Sequence, residues 1–140
     1  MESNKRIRAQ VLSDLKQALN ASALEPVKAW FDGLPSNQVS EDELTAIAVS
    51  LQEGESVSAD MEEETWEGLL VIRIIIKSEF NVDAKLDSYG EFIRKALNTS
   101  YNAGGLLENC NRSSYQYQRD EIAPWGTLDL AFTIEYTEEV

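Results

Sequence analysis

Thr65-Trp66-Glu67-Gly68-Leu69-Leu70-Val71-Ile72-Arg73-Ile74-Ile75-Ile76-Lys77 decides the fold. Five β-branched residues, Val71, Ile72, Ile74, Ile75 and Ile76, crowd into six positions, which suits a pleated strand better than a helix. Apolar side chains fall on both faces, so this strand is expected at the centre of a sheet that is covered, at least in part, on both sides. Arg73 interrupts the run. It either pairs with a carboxylate across the sheet or lies exposed at a strand edge. Alternatively, its forked guanidinium makes an ion pair across a subunit boundary.

Upstream, Leu44 to Gln52 alternates Ile47, Val49 and Leu51 with Ala46, Ala48 and Ser50. This is a strand whose small-residue face predicts a closely packed helix. The two strands form a long hairpin around residues 53–64, which carry six carboxylates and no basic residue. Such a segment offers little apolar area to offset its ordering entropy, and it is expected as a mobile, solvated loop.

Before the hairpin, Ile7, Val11, Leu15 and Leu19 repeat every four residues, one helical stripe within Arg6 to Leu19, with Ser3 or Asn4 as cap. Val27 to Phe31 reads as a short strand closed by Asp32-Gly33, with Pro35 after it. Beyond the hairpin, Asn81 or Asp83 caps a second helix with Leu86, Tyr89, Ile93 and Leu97 in one stripe, and Asn102-Ala103-Gly104-Gly105 stops it. Ser114 to Asp120 and Leu128 to Thr137 read as two last strands, joined through Ile122-Ala123-Pro124-Trp125-Gly126. The expected architecture is α+β: about five mostly antiparallel strands and two packed helices, in the order α-β-β-β-α-β-β, forming one domain over residues 1–140.

The composition excludes much chemistry. The 140 residues contain no histidine and one cysteine, Cys110, so His-based general bases, Ser-His and Cys-His pairs and most zinc sites are removed. Glu62-Glu63-Glu64 lacks the spacing and turn glycine of a calcium loop, and it reads as a solvated charge run rather than a metal site. Gly104-Gly105 has no Lys-Ser/Thr partner and follows a helix, unlike a phosphate loop. The carboxylates include none that an apolar run singles out for acid–base work. We therefore expect no enzyme, no cofactor and no dedicated metal, beyond non-specific screening by divalent cations.

A net charge of −13, from 25 acidic and 12 basic residues, repels nucleic acid and anionic membranes. Apolar runs are far too short for a membrane span, and Met1 to Arg6 has no apolar h-region of a signal peptide. A soluble, cytoplasmic chain is expected. Tyr115, Tyr117, Trp125 and Tyr136 gather near the last two strands, with core packing as the default and a polar-tipped interface as the other reading.

Several stretches, in order along nearly the whole chain, carry a likeness: the opening Ile7-Arg8-Ala9-Gln10-Val11-Leu12, Phe31-Asp32-Gly33-Leu34-Pro35, Glu64-Thr65-Trp66-Glu67-Gly68-Leu69-Leu70-Val71-Ile72, and Tyr115-Gln116-Tyr117-Gln118-Arg119-Asp120 followed by Trp125 and Phe132-Thr133-Ile134-Glu135-Tyr136. Together they resemble the minor tail protein U family of phages like lambda; the likeness is weakest from Lys77 to Gly105. The resemblance implies an α/β fold and a homohexameric ring on the finished tail tube. That ring stops further addition of the major tail tube protein and offers its other face to the head-completion protein, which places the chain in the virion tail. It implies no catalytic residues. Interface residues expected on this basis are Glu53, Glu55, Asp60, Glu62, Glu63, Glu64, Arg73, Arg119, Asp120 and Trp125. The competing reading is a small acidic inhibitor, an immunity protein or DNA mimic, that binds a basic target one-to-one.

Overall fold

The computed structural model describes residues 1–34, 39–78, 80–119 and 125–139. Helix α1 (Glu2–Asn20) is followed by β1 (Ala29–Asp32), β2 (Ala46–Ala59), β3 (Glu63–Lys77), α2 (Val82–Ala96), β4 (Asn109–Arg119) and β5 (Trp125–Glu139). The five strands form one sheet in the order β1-β2-β3-β5-β4. Only β1 and β2 are parallel; the other three pairings are antiparallel. The isoleucine-rich strand β3 is the middle of the sheet, as its two apolar faces require.

Both helices pack on one face. Ile7, Val11, Leu15 and Leu19 of α1, and Leu86, Tyr89 and Ile93 of α2, are buried against Ile47 and Val49 of β2, Leu70, Ile72, Ile74 and Ile76 of β3, and Leu128, Leu130, Phe132, Ile134 and Tyr136 of β5. Phe132 is wholly buried at the centre of this layer, where truncation to alanine would cost about 3–5 kcal/mol. Two glycines set how closely α2 approaches. A Cβ at Gly126 would meet Val82 at 2.4 Å, and one at Gly90 would meet a terminal methyl of Leu128 at 2.9 Å, so the packed side chains would have to shift to admit either.

The opposite face is covered only in part. Val39 and Leu44, from the connection between the parallel strands, pack on Ala46 and Ile75 with Ala29, Phe31 and Trp125 at the rim. The helices thus lie over Ile47, Val49 and Leu51, and not over Ala46, Ala48 and Ser50 as the small residues suggested. Those small side chains instead make room for the crossing segment and for Phe31, which pairs in register with Ala48.

Residues 53–64 are not the mobile loop expected. Strand β2 continues to Ala59 and β3 begins at Glu63, which leaves a turn of Asp60, Met61 and Glu62. Composition weighs side chains against solvent and omits the ladder. Here β3 is hydrogen-bonded to β2 on one side and to β5 on the other as far as Glu139, so the backbone groups are paired whatever the side chains carry. Asp60 closes the turn: its Oδ1 accepts from the backbone N–H of Glu62 and of Glu63, each at 2.8 Å.

The caps also differ. Helix α1 begins at Glu2 without a side-chain cap. The Asn4 Oδ1 accepts instead from the Tyr136 hydroxyl at 3.0 Å, so its side chain serves tertiary packing. Asn81 does occupy the N-cap position of α2, in the left-handed region at φ 56°, but makes no side-chain cap bond. The last strands start earlier than their alternation suggested, at Asn109 and Trp125. Pro35, Asp120 and the segment Ile122 to Pro124 lie outside the described residues.

Candidate assembly interface

Cross-strand register turns the acidic segment into an ordered array. On the face away from the helices, Glu55 of β2 sits opposite Glu67 of β3, which sits opposite Glu135 of β5. Three carboxylates therefore stand side by side across three strands, at spacings near 5 Å between neighbouring Cβ atoms. Glu63 faces Glu139 and Glu64 faces Glu138 nearer the tip. Glu53, Glu55, Glu67 and Leu69 line an open trough of about 350 Å³ on this surface. Residues 53–67 hold seven carboxylates and no cation. Like charges directly opposite one another oppose folding, so a sheet end of this kind is retained at a cost.

At the turn, the two backbone N–H groups hold the Asp60 carboxyl below the usual carboxylate range. Met61, between Asp60 and Glu62, projects into solvent at 95% exposure. Trp66 at the base of the projection is half-buried against the core, and its Nε1 has no acceptor among the described residues.

The remaining expected interface residues lie elsewhere. Arg73 is held within its own chain: Nε and Nη2 donate to the two carboxylate oxygens of Asp129 at 2.7 and 2.9 Å. That hydrogen bond, outweighing the cost of burial, pushes the guanidinium pKa up. This is the cross-sheet pairing, and it leaves the fork engaged. Arg119 bonds Asp83 at the start of α2, at 2.9 Å. Trp125 is half-buried at the rim of the small cluster under the crossing segment. It begins the strand that Glu139 ends, which puts it about 45 Å from the acidic end at 3.3 Å per residue. The expected residues therefore form one acidic group, with Arg73 apart from it and with Arg119 and Trp125 together at the opposite end, where Arg119 pairs with Gly126; Asp120 lies outside the described residues.

The sequence reading missed Glu67 and Glu135, whose significance comes from register alone. It also placed Tyr115 and Tyr117 by default in the core. They are 69% and 39% exposed on β4, packed edge to face with ring centroids 5.7 Å apart. Tyr117 donates to Asp87, and that bond, with some burial, pushes its pKa up to about 12. Tyr136 is buried as the core reading held.

No three His, Cys, Asp or Glu side chains converge to hold a metal ion among the described residues. No helix among them is long and apolar enough to cross a membrane. The family model for phage minor tail protein U matches residues 2–136. The chain belongs to the phage minor tail protein U family. It is 27% identical over 132 residues to the tail tube terminator protein of Escherichia phage N15, covering 93% of this chain and 95% of that one. To the tail tube terminator protein of Escherichia phage lambda it is 28% identical over 109 residues, 76% of this chain and 82% of the other. A chain from the virion of a native gene transfer agent particle superposes with a TM-score of 0.58 at 19% identity, covering 91% and 94% of the two chains, which shows the shared fold. For a minor tail protein U family member, the segregation of charge along the sheet is the feature to explain.

Proposed function

We propose that this chain is a tail terminator: copies assemble as a homohexameric ring on the finished tail tube, stop its polymerisation and offer a surface for head attachment. The observation that carries this is the likeness to two tail tube terminators over 95% and 82% of their lengths. Its partners are then the major tail tube protein, the head-completion protein and further copies of itself, and no catalytic step is required. The one-to-one acidic inhibitor gains no support from a full-length match of this kind.

Charge supports the same reading. Each chain carries −13, so six copies repel one another strongly. The isolated chain stays monomeric in the host cytoplasm until salt, divalent cations acting by non-specific screening, or the tube end itself offsets that repulsion. A ring lumen bearing carboxylates lets DNA pass without adhering. The test is elongation of tail tubes from purified tube subunits. The chain should halt growth when present at about one ring per tube, and the caps should be visible as rings by electron microscopy. Undiminished growth at saturating chain would overturn the proposal.

A further inference from the structure

The sheet is open at both edges, with β4 on one side and the four-residue β1 on the other. Among the described residues, no backbone group on the outer side of either strand makes a main-chain hydrogen bond. Such an edge is a template for a further strand, and proteins that stay single blunt it with proline, charge or bulges. Strand β4 has no proline, lysine or carboxylate. Its two arginines lie outside the stretch Ser114 to Gln118, Arg119 is bonded to Asp83, and its one register shift falls between Arg112 and Ser114. From Ser114 to Gln118 the edge is therefore uncharged and regular, and it carries the exposed Tyr115 and Tyr117.

The two edges match in direction and in level. Strand β1 is parallel to β2 and the three further pairings are antiparallel, so β4 runs opposite to β1. Register carries each level across the sheet. Tyr117 stands level with Trp30 through Leu128, Ile74 and Ile47, and Tyr115 with Asp32 through Leu130, Ile72 and Val49. Both rows lie on the helix-bearing face. A second copy laid edge to edge at the same level sets Tyr117 beside Trp30, an aromatic cross-strand pair, and Tyr115 beside Asp32. Asp32 receives Arg8 at Oδ1, and its Oδ2 can accept the Tyr115 hydroxyl. On the other face, beyond the end of β1, Asn109 is level with Glu55 and Asn111 with Glu53. The joint thus brings amide donors, and no further carboxylate, toward the acidic row.

We propose that the sheet continues from copy to copy, with β4 of one chain pairing antiparallel with β1 of the next at this register. The contact joins two different edges, so it is head-to-tail and repeats around an axis, which is the interface type that closes rings. It rests on the self-assembly proposed above and names the surfaces that carry it. Six copies of five strands running along the axis, at about 4.8 Å per strand, measure about 144 Å around and about 46 Å across between backbones. The two helices make the thicker layer and lie outside, so the Glu55-Glu67-Glu135 rows face the bore. Closure also leaves no long edge free to recruit a stray strand.

The test is disulfide trapping of the full chain on tail tubes. With Asp32→Cys and Tyr115→Cys in one chain, the two thiols lie on opposite edges, four strand spacings or about 19 Å apart, so oxidation can join them only between copies. Covalent multimers of up to six chains should form. Asp32→Cys with Gln118→Cys, three residues out of register, should form none. Separately, Tyr115→Asp sets a carboxylate opposite Asp32 and should weaken self-association in high magnesium, measured by sedimentation, by about tenfold or more. Adding Asp32→Lys to the same chain should restore it. Both positions are exposed, and circular dichroism checks that the fold is kept. Rings that cap tubes without the Asp32–Tyr115 disulfide and with no response to Tyr115→Asp overturn this joint and leave the terminator reading intact. So does trapping through Gln118 in place of Tyr115. A chain that neither caps tubes nor self-associates overturns both.

Discussion

Arg73 and Asp129 face each other across β3 and β5 with both guanidinium bonds made and with side chains only 28% and 20% exposed. Partial burial makes the pair worth more than a surface bridge, and makes removal of one partner worse than removal of both. Asp129→Ala should cost about 2–3 kcal/mol in urea denaturation, whereas Arg73→Met with Asp129→Leu should recover most of that loss. A double variant as unstable as the sum of the singles would contradict this account of the pair. Cys110 is a second residue whose setting decides its behaviour. Burial raises its thiol pKa from 9.0 to about 11, and the side chain is 1% exposed. The group is neutral in both states below the unfolded pKa, so its effect on stability is constant there. That stability is lost as pH rises from about 9 through about 11, where the unfolded chain ionises first. At pH 8 the native thiol should react with a maleimide or disulfide reagent at least about a hundredfold more slowly than the unfolded chain, from thiolate fraction alone. Rapid native labelling would show that the site opens.

Among the elements, the acidic ribbon is where composition and structure part. The helix stripes at Ile7, Val11, Leu15 and Leu19, and at Leu86, Tyr89 and Ile93, were legible because four-residue spacing can be satisfied only by burying one face. Strands β3 and β5 were legible from β-branching and from strict alternation. Strand β2 beyond Gln52 was not legible, because what holds it is its ladder with β3, and a ladder partner is not written in the segment itself. The same reason hid the Glu55-Glu67-Glu135 row, which exists only once register is known. The charge of the candidate interface was thus readable from sequence, but its geometry was not. If the row costs stability, relieving its centre should stabilise the chain. Glu67→Gln should raise unfolding free energy by a few tenths of a kcal/mol to about 1 kcal/mol in low salt, and the gain should shrink as ionic strength rises. A loss of stability, or a gain insensitive to salt, would mean that the carboxylates do not oppose one another.

On the scale of the whole molecule, a single sheet separates charge. Seven carboxylates without a cation occupy residues 53–67 at one end, while on β4 Arg112 stands opposite Phe132 midway along β5 and Arg119 opposite Gly126 at the other end. That charge suits the subunit proposed above, whose copies repel one another in solution and are brought together on a template. It also fits a member of this family, two of whose relatives are tail tube terminator proteins. The most direct measurement is electron microscopy of particles produced by the encoding phage or prophage when this gene is deleted. The account predicts tail tubes of uncontrolled length without attached capsids, with normal tails restored when the chain is supplied in trans. Tails of uniform length joined to filled capsids in the absence of the chain would contradict it.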